Sequence, residues 1–384
     1  MTVPVNSFDE WSPLKEVVVG SPVNFKLPDI EISFEAFFYE NAHAAFYYPS
    51  YSDGLQATAE GDLRPRYEVK RRYLEELNED VESFAATLRS LGIVVHRPVT
   101  LPEVPRFSTP YWEASSTPAL NVRDQAIVMG REIIETPPQI RARYFENDLL
   151  KPIFYRYFEA GSSWCSMPRP VMTDNSFDLS YIEEVGRQMV ATQAVPNQEA
   201  SPYDVGYEIM IDAAQFIRLG KDILVNVATR NHELGLTWML RHFGDKYNFH
   251  RLDRITDNHI DSIILPLRPG LLLLRHPRFL EMLPASLQKW DVVYAPEPDK
   301  GSFPEYDGDD LVLSSKYIDL NVLSVDENTV VVNSLFPDLI KLLEEGYGFD
   351  VVPVQHRHRR LFGGGFHCFT LDTVREGSLE DYFS

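Results

Sequence analysis

The sequence predicts an α/β fold built from repeated ββαβ-like units. Three observations favour it. Amphipathic helical stretches alternate with short apolar runs, and several of these runs are paired across turn residues. The sequence also lacks the pattern of a doubly wound sheet, in which one helix follows each strand. An apolar fraction of 44% over 384 residues is enough to bury a large core. With no clean linker or charge block, we predict one domain over 1–384.

The elements follow in chain order. Residues 15–19 form a β-rich run that ends at Gly20. Over 68–91, apolar residues recur every three or four positions, which predicts an amphipathic helix stopped by Gly92 and followed by a strand at 93–95. Further helices are predicted at 139–159, 233–243, 279–287 and 337–345, and hairpins at 125–135, 263–274 and 322–332. The aromatic segment 34–51 is predicted to cover the core, with a lid or a subunit contact as the alternative.

Composition excludes several classes of protein. A formal charge of −21 argues against nucleic acid as a partner, because phosphate binding needs basic patches. Two cysteines exclude a disulfide scaffold and fit a reducing compartment. Residues 1–6 carry no signal-peptide pattern, so a cytoplasmic location is expected. The longest apolar stretch, 262–274, is interrupted and too short to span a membrane.

Cys368 is a candidate nucleophile. It follows the glycine run 363–365, where a backbone can pass close to other groups. If this segment is a strand, neighbouring residues point to opposite faces, so His367 is predicted to be structural rather than a partner of the thiol. His259 and Asp261 are two residues apart and can face one pocket, although a surface-loop histidine stays open as the alternative.

Two further carboxylates, Asp124 and Asp212, adjoin apolar runs, where an unpaired acid is costly unless it meets a cation. Taken singly, each could equally be a turn or cap residue. Metal-ligand spacings are weak: His356 and His358 lack a nearby acid cluster, and His232 lacks the second histidine of a zinc helix. We therefore predict no metal site.

Several motifs occur in order along nearly the whole chain. They are found at 6–20, 123–124, 132–137, 141–146, 212–214, 220–222, 259–261, 314–316 and 363–368. With these motifs the sequence resembles the arginine:X amidinotransferases, which include glycine, inosamine-phosphate and toxin-pathway amidinotransferases. The resemblance implies a five-bladed α/β propeller, the pentein fold, of ββαβ modules with pseudo-fivefold symmetry.

The resemblance also implies an activity and its residues. Cys368 corresponds to the nucleophile and His259 to the general acid/base. Asp124 and Asp212 correspond to the acids that bind the guanidinium of L-arginine, and Asp212 is counted among the catalytic residues. Asp261 corresponds to a contact with the substrate's amino end. The residues matching the carboxylate site are Arg278, Ser314 and Ser315.

The implied reaction is ping-pong transfer of an amidino group. Arginine amidinates Cys368, ornithine leaves, and an acceptor amine collects the group, with no metal or organic cofactor. The acceptor pocket is expected to involve Thr256, Asn258 and Gln215, whose polarity argues against glycine and favours a larger amine of specialised metabolism. A citrulline-forming hydrolase and a non-catalytic arginine-binding protein remain the alternatives. The oligomeric state stays open between a monomer and a homodimer.

Overall fold

The computed structural model describes residues 3–26, 28–29, 31–37, 69–180, 204–256, 258–298, 303–304 and 314–383. In chain order the strands are β1 (Leu14–Val19), β2 (Val94–His96), β3 (Arg106–Ser108), β4 (Glu113–Ser115), β5 (Ala126–Met129), β6 (Glu132–Glu135), β7 (Ser163–Ser166), β8 (Phe216–Leu219), β9 (Asp222–Val227), β10 (Asn248–Asp253), β11 (Ile264–Arg268), β12 (Leu271–Leu274), β13 (Asp291–Tyr294), β14 (Leu323–Ser324), β15 (Thr329–Asn333), β16 (Asp350–Val354) and β17 (Thr370–Arg375). The α-helices are α1 (Ile32–Phe37), α2 (Arg71–Ser90), α3 (Lys151–Glu159), α4 (Arg230–Phe243), α5 (Pro337–Lys341) and α6 (Arg359–Phe362).

The described strands form five three-stranded sheets that share one connectivity, besides the small β3–β4 hairpin. In each of four sheets, two antiparallel strands are followed by a crossover and a third strand parallel to the second. These sheets are β5-β6-β7, β8-β9-β10, β11-β12-β13 and β14-β15-β16. The crossovers contain α3, α4, a pair of 3₁₀ turns and α5, respectively.

The fifth sheet joins the two ends of the chain. Its order is β17-β1-β2, with β17 antiparallel to β1 and β2 parallel to β1. It has the same ββαβ pattern, except that its first strand comes from the end of the chain and its crossover contains α2. The five equivalent sheets confirm the five-bladed α/β propeller that the resemblance implied.

Local sequence explains the hairpins. In β5, β8 and β12 every residue is buried, which is typical of strands covered on both faces. The turns between β5 and β6 and between β8 and β9 begin with Gly130 and Gly220, at φ of 65° and 67°. Because glycine reaches this left-handed region without steric cost, it allows these tight reversals.

The long helix α2 agrees with the predicted stripe over 68–91. Its buried side presents Tyr73, Leu77, Val81, Phe84 and Leu88 to the core of the fifth sheet. The helix ends as the sequence predicts, next to a glycine at φ 83°.

Two predicted helices are wrong in part. Residues 279–287 contain parts of two 3₁₀ turns, Pro277–Met282 and Leu287–Lys289, because Pro284 lacks the N–H that a continuous helix needs there. Residues 139–159 divide into two 3₁₀ turns followed by α3. The hairpin of β8 and β9 was not predicted. Of the aromatic segment 34–51, residues 38–51 lie outside the described residues.

A buried ionic cluster lies where the sheets meet. Glu10, from the segment before β1, bonds the guanidinium of Arg218 on β8. Asp372 on β17 accepts hydrogen bonds from Arg218, Arg123 and Arg375, all of them almost fully buried. Each charge is paired, as burial requires. The cluster thereby ties three sheets and the first segment together beneath the cavity described next.

None of the helices formed by the described residues is both long enough and apolar enough to cross a bilayer.

Candidate active site

Each of the five sheets places polar side chains immediately before its first strand. Asp124, Asp212, His259, Asn321 and Cys368 all lie within five residues of the start of β5, β8, β11, β14 and β17, respectively. The short 3₁₀ turns that carry or adjoin four of them contact one another. Repetition of one module therefore gathers residues that are far apart in sequence.

These turns line a cavity of about 390 Å³. The sequence-predicted site residues that line it are Asp124, Thr256, Asn258, His259, Asp261, Arg278, Ser314, Ser315 and Cys368. Two other sequence-predicted residues, Asp212 and Gln215, are fully buried behind this lining.

Cys368 lies at the inner end of the cavity and is almost fully buried. Its backbone N–H donates to Asn321 Oδ1 at 2.8 Å, which fixes the turn. Its thiol donates to Asp261 Oδ2, with 3.3 Å between the two heavy atoms. Burial, together with the charges of Asp261 and Asp124, raises the pKa of Cys368 well above its ordinary value. The resting group is therefore a thiol.

His259 is held by carboxylates on both ring nitrogens. Its Nε2 bonds Asp212 Oδ2 at 2.9 Å, and its Nδ1 lies 3.5 Å from Asp124 Oδ1. The Phe37 ring packs edge-on against the imidazole at 5.1 Å between centroids. Burial acts to lower the pKa of His259, but the charge of Asp124, the bond to Asp212 and the charge of Asp261 outweigh it and raise the pKa to about 9. At neutral pH the ring is an imidazolium.

Asp212 lies behind His259 and not in the cavity wall. Its Oδ1 accepts from Gln125 Nε2 at 3.2 Å and from the Gln139 backbone N–H at 3.1 Å, while its Oδ2 faces the histidine. Burial opposes ionisation, yet the hydrogen bond and charge of His259 hold the pKa of Asp212 below its ordinary value. Asp212 therefore holds the His259 ring through its Nε2 and favours the protonated form of that ring.

Asp124 is hydrogen-bonded through one oxygen, while the other faces His259 Nδ1 at 3.5 Å. Arg143 Nη1 donates to its Oδ2 at 2.6 Å, and Arg143 also bonds Glu146. The other oxygen, Asp124 Oδ1, is buried without a hydrogen-bond partner among the described residues. Burial raises the pKa of Asp124, against the opposing charges of His259 and Arg143.

Asp261 lies against the thiol, and the contact with the substrate's amino end that the resemblance implied stays a prediction. Its Oδ2 accepts from His367 Nδ1 at 2.7 Å and from Asn321 Nδ2 at 3.0 Å, besides the thiol of Cys368. Its Oδ1 is buried and has no hydrogen-bond partner within the described part of the chain. Burial acts to raise the pKa, but His367 and His259 lower the pKa of Asp261 to about 2.

Cations and hydroxyls line another part of the cavity. Arg275 stacks over the Tyr317 ring and Arg278 over the Phe279 ring, each at 4.6 Å. Neither guanidinium forms an ion pair with a described residue. Ser314 and Ser315 lie in the same wall. The cavity therefore combines carboxylates around the thiol with a second group of residues suited to an anion.

The loop 256–258 forms a further wall, and Gln215 supports it from behind. Gln215 Nε2 donates to the Asn258 carbonyl at 2.9 Å, and Gln215 Oε1 accepts from Asn226 at 2.8 Å. Thr256 and Asn258 line the cavity, whereas residue 257 lies outside the described residues. Gln215 thus supports this wall of the cavity without lining it.

Sequence reasoning did not predict several of the polar residues that line the cavity. Asn321, Arg143 and Arg275 line the cavity without having been predicted as site residues. The available signal was positional for Asn321, because it directly precedes a hairpin, as Asp124 does. His367, which was predicted to be structural rather than a partner of the thiol, bonds the carboxylate that meets the thiol.

Two groups among the described residues bring potential metal ligands within 4.8 Å of one another. One consists of Asp124, Asp212 and His259; because the histidine Nε2 hydrogen is shared with Asp212 and the ring is cationic, coordination there would first require deprotonation. The other consists of Glu132, Cys165 and His242, none of which lines the cavity.

The chain is similar to known proteins over almost its whole length. No family model matches the chain. It is 33% identical to the mitochondrial glycine amidinotransferase of Xenopus tropicalis, covering 99% of this chain and 85% of that protein. It is 32% identical to the L-arginine:L-lysine amidinotransferase of Pseudomonas savastanoi pv. phaseolicola, covering 99% and 97%. Its structure is similar to that of the inosamine-phosphate amidinotransferase of Streptomyces griseus, with a TM-score of 0.80 at 32% identity over 99% of both chains.

Proposed function

The chain belongs to the amidinotransferase family, and from that premise we propose that it transfers the amidino group of L-arginine to an acceptor amine through an amidino-cysteine on Cys368. Similarity over almost the full length supports treating residues 1–384 as one catalytic unit. The proposal is carried by one observation: two buried carboxylate oxygens that form no hydrogen bond with any described residue accompany a thiol in one cavity.

Those two oxygens suit a guanidinium. Asp124 Oδ1 and Asp261 Oδ1 are buried acceptors that are costly to leave unpaired. A planar cation with five N–H donors can satisfy both and contribute its charge. Because Asp261 contacts Cys368, a guanidinium bound between these acids has its central carbon near the sulfur. This assigns guanidinium binding to Asp124 and Asp261, and leaves Asp212 to orient His259.

Arginine binding also activates the nucleophile. The pKa of Cys368 is raised partly by Asp261 and Asp124, whose charges disfavour a thiolate. A guanidinium between them offsets both charges, so the thiol can ionise once substrate is bound, with its proton passing to solvent. The sulfur takes a proton back from solvent when the guanidino product leaves. The empty site is thereby kept as an unreactive thiol.

His259 balances the protons of the two half-reactions. The thiolate attacks the guanidinium carbon and the C–N bond to ornithine breaks, while imidazolium His259 gives the departing amine its proton. Because Nε2 is engaged by Asp212, Nδ1 is the nitrogen assigned to this transfer. In the second half-reaction neutral His259 takes a proton from the attacking amine, the C–S bond breaks, and the thiolate and imidazolium are restored.

The acceptor we propose is an amine larger than glycine that carries an anionic group. Arg278, Ser314 and Ser315 correspond to the site for the carboxylate of arginine. Because ornithine leaves before the acceptor enters, this site, with Arg275, is free again for an anionic group of the acceptor, and the polar wall of loop 256–258 supports a hydrophilic acceptor. Two of the named relatives are an L-arginine:L-lysine and an inosamine-phosphate amidinotransferase, and lysine and an inosamine phosphate each carry an amine and an anionic group. On this basis we place the chain in specialised-metabolite biosynthesis.

The test is to incubate the protein with arginine and a panel of amines, and to measure ornithine and citrulline by mass spectrometry. The panel pairs each amino carboxylate or amino phosphate with a neutral analogue of equal length. We expect ornithine to form in proportion to added anionic amine. The matched controls are Cys368→Ala, which should form none, and Cys165→Ser, which removes the other cysteine and should leave turnover intact.

The same assay separates the alternatives. Citrulline formed without any amine would replace transfer by hydrolysis. Absence of both products, with no amidino adduct on Cys368, would favour an arginine-binding protein without catalysis. Turnover retained in Cys368→Ala would remove the nucleophile from the proposal.

A further inference from the structure

His367 occupies a buried position between two carboxylates. Its Nδ1 lies 2.7 Å from Asp261 Oδ2, and its Nε2 lies 3.3 Å from Glu10 Oε2. The ring is almost fully buried. The same Asp261 oxygen accepts the thiol hydrogen of Cys368. A chain of contacts thus runs from the buried ionic cluster to the sulfur.

These contacts define the charge of the ring. An ionised carboxylate only accepts hydrogen bonds, so both contacts can be hydrogen bonds only if both ring nitrogens carry hydrogen. Glu10 is ionised because it bonds Arg218 at two points, and Asp261 is ionised because it accepts from three donors. A neutral ring would leave one nitrogen lone pair facing a carboxylate. The two contacts therefore fit a ring that carries hydrogen on both nitrogens.

We propose that His367 is a positioning residue that carries a fixed positive charge beside Asp261 and offsets the charge of that carboxylate next to the Cys368 thiol. The proposal rests on the proposed role of Cys368 as nucleophile. Without His367, Asp261 would repel the thiolate more strongly. With His367, part of the Asp261 charge is offset, and the carboxylate still accepts the thiol hydrogen. The two anchors of the ring, one on each side, keep Asp261 Oδ1 available for substrate.

The charged groups around this ring come from four elements. Glu10 precedes β1, Asp261 precedes β11, and Cys368 adjoins the ring in the turn before β17. Arg123, in the turn before β5, donates from Nε to the His367 carbonyl at 2.8 Å and bonds Asp372 and Glu10. Arg218 and Arg123 both bond Glu10 and compensate its negative charge. The positive charge of the His367 ring is therefore available to offset Asp261.

The test measures thiol reactivity and does not use arginine. In a Cys165→Ser background Cys368 is the single cysteine of the chain, so the rate of alkylation by iodoacetamide reports its thiolate. His367→Gln keeps an N–H donor for Asp261 but removes the charge. We expect alkylation to slow by about tenfold at a fixed pH near 8, with the whole pH profile displaced upward by about one unit.

A second variant, expected to change the alkylation rate in the opposite direction, supplies the control. Asp261→Asn removes the repulsive charge and should speed alkylation. Added to His367→Gln, it should restore a rate above that of His367→Gln alone, because no bare carboxylate then remains. A purely structural role for His367 would give neither the displaced profile nor this reversal. Melting temperature and near-ultraviolet circular dichroism establish that each variant is folded.

Three results would overturn the proposal: an alkylation profile of folded His367→Gln that matches the parent, a double variant as slow as His367→Gln, or slower alkylation of Asp261→Asn. If His367→Gln does not fold, His367→Asn is the second neutral donor, and Asp261→Asn tests the sign by itself. Since no amidino transfer is involved, loss of the proposed function would not mimic any of these results.

Discussion

Replacing Asp212 by Asn tests how His259 obtains its charge. Asp212 Oδ1 receives two N–H donors, from Gln125 and from the Gln139 backbone, so the amide oxygen of the variant should occupy that place. Its NH₂ group then faces His259 Nε2. A donor facing Nε2 requires that nitrogen to be unprotonated, and the ring becomes neutral.

The size of the effect follows from the pKa of His259, which is about 9 in the protein. If the variant returns the pKa to the ordinary 6.5, the change is about 2.5 units, or about 3.4 kcal/mol. Near pH 8 the protonated fraction of the ring falls from about nine-tenths to about 3%, which is about thirtyfold. Near pH 6 both forms are largely protonated, so the difference should shrink to about threefold or less.

The assay is rapid-quench measurement of ornithine in a single turnover, with enzyme in excess over arginine, from about pH 6 to pH 9. Asp222→Asn is the matched control, because Asp222 is also buried and also bonds a histidine, His250 Nε2, at 2.7 Å, but it does not line the cavity. A ratio of variant to wild-type rate that does not change with pH, or one within threefold near pH 8, would refute the reasoning.

Three further predictions follow. Gly365→Ala would place a Cβ 2.7 Å from the Asn321 Cβ, so we expect this variant to lose about 1–3 kcal/mol of stability and most of its turnover. In Gly346→Ala the nearest atom to the new Cβ is 3.5 Å away, so thermal melts and turnover assays should show no change in that control. Arg275→Gln should raise the KM for anionic acceptors about tenfold and leave neutral amines unchanged; equal effects on both in steady-state kinetics would remove the anion site. Because the folded pKa of His259 is raised, its stabilising contribution is present below pH 6.5 and is lost as pH rises through about 9. Urea unfolding across that window should show the loss in wild type but not in Asp212→Asn, and identical curves would contradict it.

The parts of the fold that the sequence predicted are those decided by neighbouring residues. The stripe of α2 and the glycine-containing hairpin of β5 and β6 depend on periodicity and turn chemistry within a few positions. A helix was wrongly predicted over 279–287 because apolar spacing alone does not take account of Pro284 inside that range. The number of sheets, and closure through β17 and β1, depend on contacts between the two ends of the chain, which no local pattern encodes.

In the site, too, some features could be predicted from the sequence and others depend on contacts between distant residues. Residue types identified Cys368, His259 and the acids as chemically suitable, and the resemblance supplied roles for them. The prediction about His367 assumed a strand, in which neighbours alternate, but Cys368 lies in a turn before β17, where that rule does not apply. The contact between Asp261 and the thiol joins residues 107 positions apart and could be seen only once the modules were folded.

The central claim is that the amidino group rests on Cys368 between the two half-reactions. The most direct test is intact-protein and peptide mass spectrometry after arginine alone is added and the reaction is acid-quenched. We predict one added amidino group on the peptide that contains Cys368, none on the peptide of Cys165, and its disappearance when an acceptor amine is added. Ornithine formed at full rate from arginine and amine, with no adduct on Cys368 at any time point, would contradict the account.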